Sequence, residues 1–103
     1  MIVANKSELL SALNSAAVQL RETGVNKLAV FGSFARDQAG KDSDVDFYVE
    51  FLPEKKTFKN FMKLGDLLEN ITGRKVELVT PQSLNKFTAQ YILKELEYVA
   101  LAA

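Results

Sequence analysis

The residues of this chain best suited to chemistry are closely spaced carboxylates, a glycine-serine turn and an arginine. Asp44 and Asp46 stand two apart in the run Ser43-Asp44-Val45-Asp46. If that run opens a strand, alternation sends both carboxylates to one face. A rise of about 3.3 Å per residue then sets their Cα atoms roughly 6.6 Å apart, so both can lean on one ion or one ion pair. Hard oxygen ligands of this kind suit Mg²⁺ or Mn²⁺. Upstream, the apolar run Leu28-Ala29-Val30-Phe31 is bounded by Gly32-Ser33, the way a buried strand ends. Glycine lets backbone N–H groups approach a ligand closely, so a strand feeding Gly-Ser ahead of a short helix, here Phe34 to Gln38, makes an anion-binding nest suited to phosphate. Arg36 follows with a planar fork that fits phosphate oxygens, its alternative being a surface ion pair with Asp42 or Asp44. A phosphate nest on one strand end and a D-x-D on the next is the minimal equipment for metal-assisted nucleotide chemistry.

Composition narrows the chemistry further. With no cysteine and no histidine, a zinc site, thiolate chemistry and a histidine-based triad are excluded, and carboxylates must do any metal or base work. Thirteen basic residues balance thirteen acidic ones, which disfavours a general nucleic-acid binder. At 103 residues the chain is expected to be one domain, residues 1–103, too short to carry a separate substrate-binding domain. No apolar run approaches the ~20 residues of a membrane span, and Met1-Ile2-Val3-Ala4 lacks the charge pattern of a secretory signal, so a cytoplasmic protein is expected. A homo-oligomer is left open.

The supporting elements are expected in the order α-β-α-β-α-β-α, an α+β fold with a small mixed β-sheet and helices packed on one side. Asn5 and Glu8 suggest a capping box for a first helix carrying Leu9, Leu10, Leu13, Ala16, Ala17 and Leu20 at helical spacing, stopped by Gly24. Val25 to Phe31 is the first strand. The second, Asp44 to Phe51, puts Val45, Phe47, Val49 and Phe51 on one face and ends before Pro53. Thr57 caps the next helix, whose stripe of Phe58, Phe61, Met62, Leu68 and Ile71 is interrupted at Gly65 and closed by Gly73, with Lys55, Lys56, Lys59 and Lys63 on its outer side. Arg74 to Thr80 is the third strand. Thr80-Pro81 opens the last helix, with Leu84, Phe87, Tyr91, Ile92 and Leu96 as its apolar series. The tail from Tyr98 to Ala102 either finishes that helix or turns into an edge strand.

Glu77 interrupts the short apolar strand Val76-Glu77-Leu78-Val79, and an unpaired buried carboxylate is costly. Metal ligation would explain it; so would an exposed strand face with Lys75 as partner. Taken together, Gly32-Ser33-Phe34-Ala35-Arg36 and Ser43-Asp44-Val45-Asp46 resemble the G-S-x-A-R and S-D-x-D signature of the polymerase β-type nucleotidyltransferases, most closely the minimal nucleotidyltransferases.

The resemblance implies a palm-like fold and a set of roles. Gly32 and Ser33, with Arg36 nearby, would bind the β- and γ-phosphates of a nucleoside triphosphate. Asp44 and Asp46 would bridge two Mg²⁺ ions, and Glu77, matching the third carboxylate of the superfamily, would hold the catalytic metal and accept the proton of the attacking hydroxyl. The implied reaction is transfer of AMP from ATP to a hydroxyl acceptor. The implied partner is a HEPN-type helical toxin, neutralised by adenylylation of a tyrosine, with this chain as the antitoxin. Two positions depart from the family pattern: Asp37 stands where glycine is usual, and Glu77 where aspartate is usual. They keep open a rival reading, an inactive nucleotidyltransferase fold acting as a binding antitoxin or a nucleotide-sensing subunit.

Overall fold

A computed structural model describes residues 2–101. The first helix begins where a side chain satisfies its free N–H groups. Asn5 accepts a hydrogen bond from the Glu8 N–H at 2.9 Å, and the Glu8 carboxylate reaches back to the N–H of Ala4 at 2.9 Å, one residue beyond the usual capping box. The expected single helix is two, α1 (Lys6–Ser15) and α2 (Ala17–Glu22), because the backbone at Ala16 leaves helical geometry at φ −104°, ψ 13°. The break still leaves Leu9, Leu13, Ala16 and Leu20 on one buried side.

Four strands form one mixed sheet, β1 (Val25–Phe31), β2 (Val45–Phe51), β3 (Val76–Val79) and β4 (Glu97–Tyr98), in the order β3-β2-β1-β4. β1 runs antiparallel to β2 and to β4, while β2 and β3 are parallel. The second and third strands are thus shorter than the expected spans from Asp44 and from Arg74. The open question of the tail is answered by β4, an edge strand continued by the hydrogen bond of the Val99 N–H to the Leu28 carbonyl at 2.8 Å; Ala102 lies outside the described residues.

Between β1 and β2 the chain makes the short helix α3 (Gly32–Ala35), which starts ahead of the expected Phe34 to Gln38. After a 3₁₀ turn at Pro53–Lys55, α4 (Phe58–Thr72) is capped by the Thr57 hydroxyl on the Asn60 N–H and closed by Gly73 in the left-handed region at φ 69°. It runs unbroken through Gly65. Its buried residues are Leu64, Leu68 and Thr72, and Ile71 packs against the core, so the expected stripe holds at its C-terminal end while Phe58 and Met62 are 79 % and 48 % exposed. Thr80-Pro81 does not open the last helix either: Pro81–Ser83 is a 3₁₀ turn, and α5 (Lys86–Glu95) starts at Asn85, whose side chain accepts the N–H groups of Phe87 and Thr88. Phe87 and Tyr91, expected in its apolar series, are exposed.

Alternation along β1 and β2 divides the interior. Leu28, Val30, Val45, Phe47 and Val49 face the main core, packed with side chains of α1, α2 and α4. On the opposite face Ala29, Phe31 and Tyr48 form a smaller cluster covered by Leu84, Ile92 and Leu96. The even-numbered residues of β2, Asp46 among them, therefore share the face that α5 borders.

Candidate active site

Register brings the carboxylates together. Asp46 lies opposite Phe31 on β1 and beside Glu77 on β3. In a parallel pair the two residues project to the same face from strands about 4.8 Å apart. Their carboxyl groups are close enough to act on each other, and the Asp46 carboxyl is pushed up to about 6, first by burial, then by the negative charge and proximity of Glu77, then by the charge of Asp44; Arg36 acts in the opposite sense. Glu77 and Asp44 are exposed. The sheet thus joins Asp46 to Glu77 directly and leaves Asp44, just ahead of β2, acting on Asp46 through space. Among the described residues no three acidic side chains stand close enough to form a ready metal-binding group.

The glycine-serine turn is built against this pair. Gly32 has φ +75°, and a Cβ added there would overlap Oδ2 of Asp46. Only glycine lets the turn and the carboxylate occupy the same corner. Ser33 follows as a half-buried residue of α3.

The expected surface partners of Arg36, Asp42 and Asp44, are not the ones it takes. Arg36 Nη1 donates to Glu95 Oε1 at 2.6 Å, and the Gly32 N–H donates to Glu95 Oε2 at 3.3 Å. Glu95, at the end of α5, was invisible to local pattern: it is 59 residues from Arg36, and one more glutamate in a helix carries no signal.

Local pattern likewise shows Arg74 only as the start of a strand. Its Nε donates to the Val3 carbonyl at 2.8 Å, and Nη1 donates to the carbonyls of Gly40, Lys41 and Ser43 at 3.0, 3.2 and 2.8 Å. The guanidinium lies over the Phe34 ring, 5.0 Å from its centroid. One side chain therefore ties down the loop that delivers Asp44 and Asp46. Its position directly after Gly73, at the helix-to-strand turn, was the available hint. Asp37, which stands where the resembled family usually has glycine, has φ 55° and accepts a hydrogen bond from the N–H of Lys6 at 3.1 Å. Its carboxylate serves the first turn of α1, and its left-handed backbone explains why glycine would suit the position.

Two other polar features lie apart from the carboxylate pair. Tyr48 donates to Glu50 at 2.9 Å and is pushed up to about 12, first by burial and then by that hydrogen bond. A cavity of about 390 Å³ at the opposite end of β2 is lined by Phe51, Lys56, Phe58, Phe61 and Pro81 among others, and contains neither aspartate of the D-x-D.

A turn offering N–H groups, an arginine and the Asp46–Glu77 carboxylate pair can bind an anion and a cation side by side. Carboxylate oxygens of this kind are hard ligands that suit a divalent cation.

Comparison with known proteins agrees with that chemistry. Residues 10–99 match the family model described as nucleotidyltransferase domain. The chain is 38 % identical over 100 residues to the protein adenylyltransferase MntA of Thermococcus cleftensis, covering 96 % of this chain and all of that one. It is similar to a solved structure described as a candidate minimal nucleotidyltransferase, with TM-score 0.73 and 31 % identity over 85 % of this chain and 90 % of that one. It also shares its fold with a structure of tri-AMPylated Shewanella oneidensis HEPN toxin in complex with MNT antitoxin, at TM-score 0.60 and 16 % identity, covering 91 % and 72 % of the two chains.

Proposed function

This chain belongs to the nucleotidyltransferase domain family, and we propose that within it the protein is an antitoxin that transfers AMP from ATP to a tyrosine hydroxyl of a HEPN-type toxin. Residues 1–103 would act as one domain, with the acceptor supplied by the partner. The observation that carries the reading is the contact of Asp46 with Glu77 directly against the Gly32 turn.

In this reading the N–H groups of Gly32 and Ser33, the Ser33 hydroxyl and the Arg36 guanidinium receive the β- and γ-phosphates. Asp44, Asp46 and Glu77 would hold Mg²⁺, which supplies the counter-charge that a triphosphate and clustered carboxylates both require. Glu77, exposed beside Asp46, takes the proton of the acceptor hydroxyl. The acceptor oxygen forms its bond to the α-phosphorus as the bond from that phosphorus to the bridging oxygen breaks, and pyrophosphate leaves. Asp46 is shielded between Phe31 and Glu77, which keeps the acidic face fixed while the acceptor is held in line.

Incubation with labelled ATP, Mg²⁺ and a HEPN-type partner tests the reading. Label should appear on the partner and vanish with the Asp44→Asn, Asp46→Asn double variant. Neutralisation of the partner that survives in the double variant would show that covering the toxin, and not chemistry, silences it.

A further inference from the structure

The Glu95 carboxylate already sits on the donors that the proposed reading assigns to phosphate. Oε1 takes the Arg36 guanidinium at 2.6 Å and Oε2 takes the Gly32 N–H at 3.3 Å, so two oxygens on one centre bridge two donors as a phosphate group would. Its own helix gives no reason for it to be there. Glu95 ends α5, where the free carbonyls carry partial negative charge and a carboxylate is disfavoured. The helix that carries it is lightly anchored: α5 has no fully buried residue, and its hold on the sheet comes from the half-buried Ile92 and the flanking Leu84 and Leu96. Glu95 is itself about a third exposed, so it can swing away without leaving a charge buried.

We infer that Glu95 is an intramolecular competitor for the nucleotide's phosphates, an affinity-setting residue that a triphosphate must displace from Arg36 and Gly32 before it is seated. While bound, it neutralises the positive side chain of the cradle and adds a further carboxylate to a corner that already holds Asp44, Asp46 and Glu77. An entering triphosphate therefore exchanges one anion for another on the same donors. The inference rests on the phosphate cradle proposed above, and its test separates the two.

Calorimetry with a non-hydrolysable ATP analogue plus Mg²⁺, and separately with inorganic tripolyphosphate, would be run on the full chain, on Glu95→Gln and on the shorter Glu95→Asp, each checked for folding by thermal melting. Both variants should bind both probes about two- to fivefold more tightly, the range expected for removing a partly exposed ion pair. In an Arg36→Gln background the gain from Glu95→Gln should shrink, because only the weaker contact with the Gly32 N–H is left to release. If the wild-type chain binds and the Glu95 variants bind equally or more weakly, Glu95 serves to hold Arg36 in place and the competitor role is overturned. If the wild-type chain and the Glu95 variants all fail to bind either probe, the cradle assignment itself falls and the competitor role with it.

Discussion

Gly32 and Asp46 occupy one corner of the sheet so closely that a single methyl group on the first would collide with the carboxylate oxygen of the second. The turn also holds φ +75°, a region that costs a side chain about 1–2 kcal/mol. Gly32→Ala should therefore lower stability by about 1–2 kcal/mol in a denaturant titration. The larger effect falls on the site: the short Asp46 side chain must turn away from the turn, breaking its contact with Glu77. AMP transfer should drop by on the order of a hundredfold or more. A variant as active as the parent would show that this corner is not where the chemistry happens.

Asp46 also ties stability to pH. Its folded value, about 6, lies above the ordinary aspartate value of 3.8, so below pH 4 the native and unfolded chains both carry the proton and the site costs little. As pH rises from about 4 through 6 the unfolded chain ionises first, the native state must follow against burial and the charge of Glu77, and stability is lost. Asp46→Asn removes that cost. In metal-free buffer the variant should be more stable than the parent by about 1–2 kcal/mol at pH 8, part of the penalty being screened by solvent, and nearly equal to it at pH 4. Urea midpoints at the two pH values would show this, and an equal gain at both would refute the assignment.

Much of this corner was readable in advance because its signals are short-range. Alternation placed Val45, Phe47 and Val49 in the core and so put Asp44 and Asp46 on the other face, while the apolar run ending at Gly32 fixed the end of β1. The carboxylate pairing of Asp46 with Glu77 followed once β3 lay beside β2. What failed to show were choices made by the rest of the fold. Which strip of α4 is buried depends on where the sheet lies beneath it, so the aromatic Phe58 looked like core and is exposed, whereas Thr72 is buried with its hydroxyl donating to the Leu68 carbonyl at 2.8 Å. The break at Ala16 has no glycine or proline to announce it. Glu95 and Arg74 act across 59 and more than 30 residues, beyond any local pattern.

Asp37 gives a prediction that separates folding from activity. Its left-handed backbone and its hydrogen bond to the Lys6 N–H both serve the packing of α3 against the start of α1. Asp37→Ala loses the bond and keeps the unfavourable φ, so stability should fall by about 1–3 kcal/mol. Asp37→Gly loses the same bond but relieves the backbone, and should fall by roughly 1 kcal/mol less than the alanine variant. Below the melting range both should transfer AMP at the parental rate, because the carboxylate points to α1 and not to the phosphate cradle.

Arg74 should show the reverse coupling, with loop geometry and activity failing together. Its guanidinium gathers the carbonyls of Val3, Gly40, Lys41 and Ser43 while lying over the Phe34 ring, a set of tasks that needs a planar fork with several donors. Lysine keeps the charge but offers one compact ammonium, so it can satisfy the loop or Val3 and not both. Arg74→Lys should cost about 2–3 kcal/mol, the range for losing hydrogen bonds from a charged group to part-buried carbonyls. Freed from its anchor, the loop ahead of Val45 no longer holds Asp44 beside Asp46. The kcat should then fall with the KM for ATP·Mg²⁺ rising less, since the donors of the cradle are untouched. Amide exchange across residues 40–44 should quicken in the variant; protection equal to that of the parent, with transfer intact, would mean that the Ser43-to-Asp46 run holds its shape without the arginine.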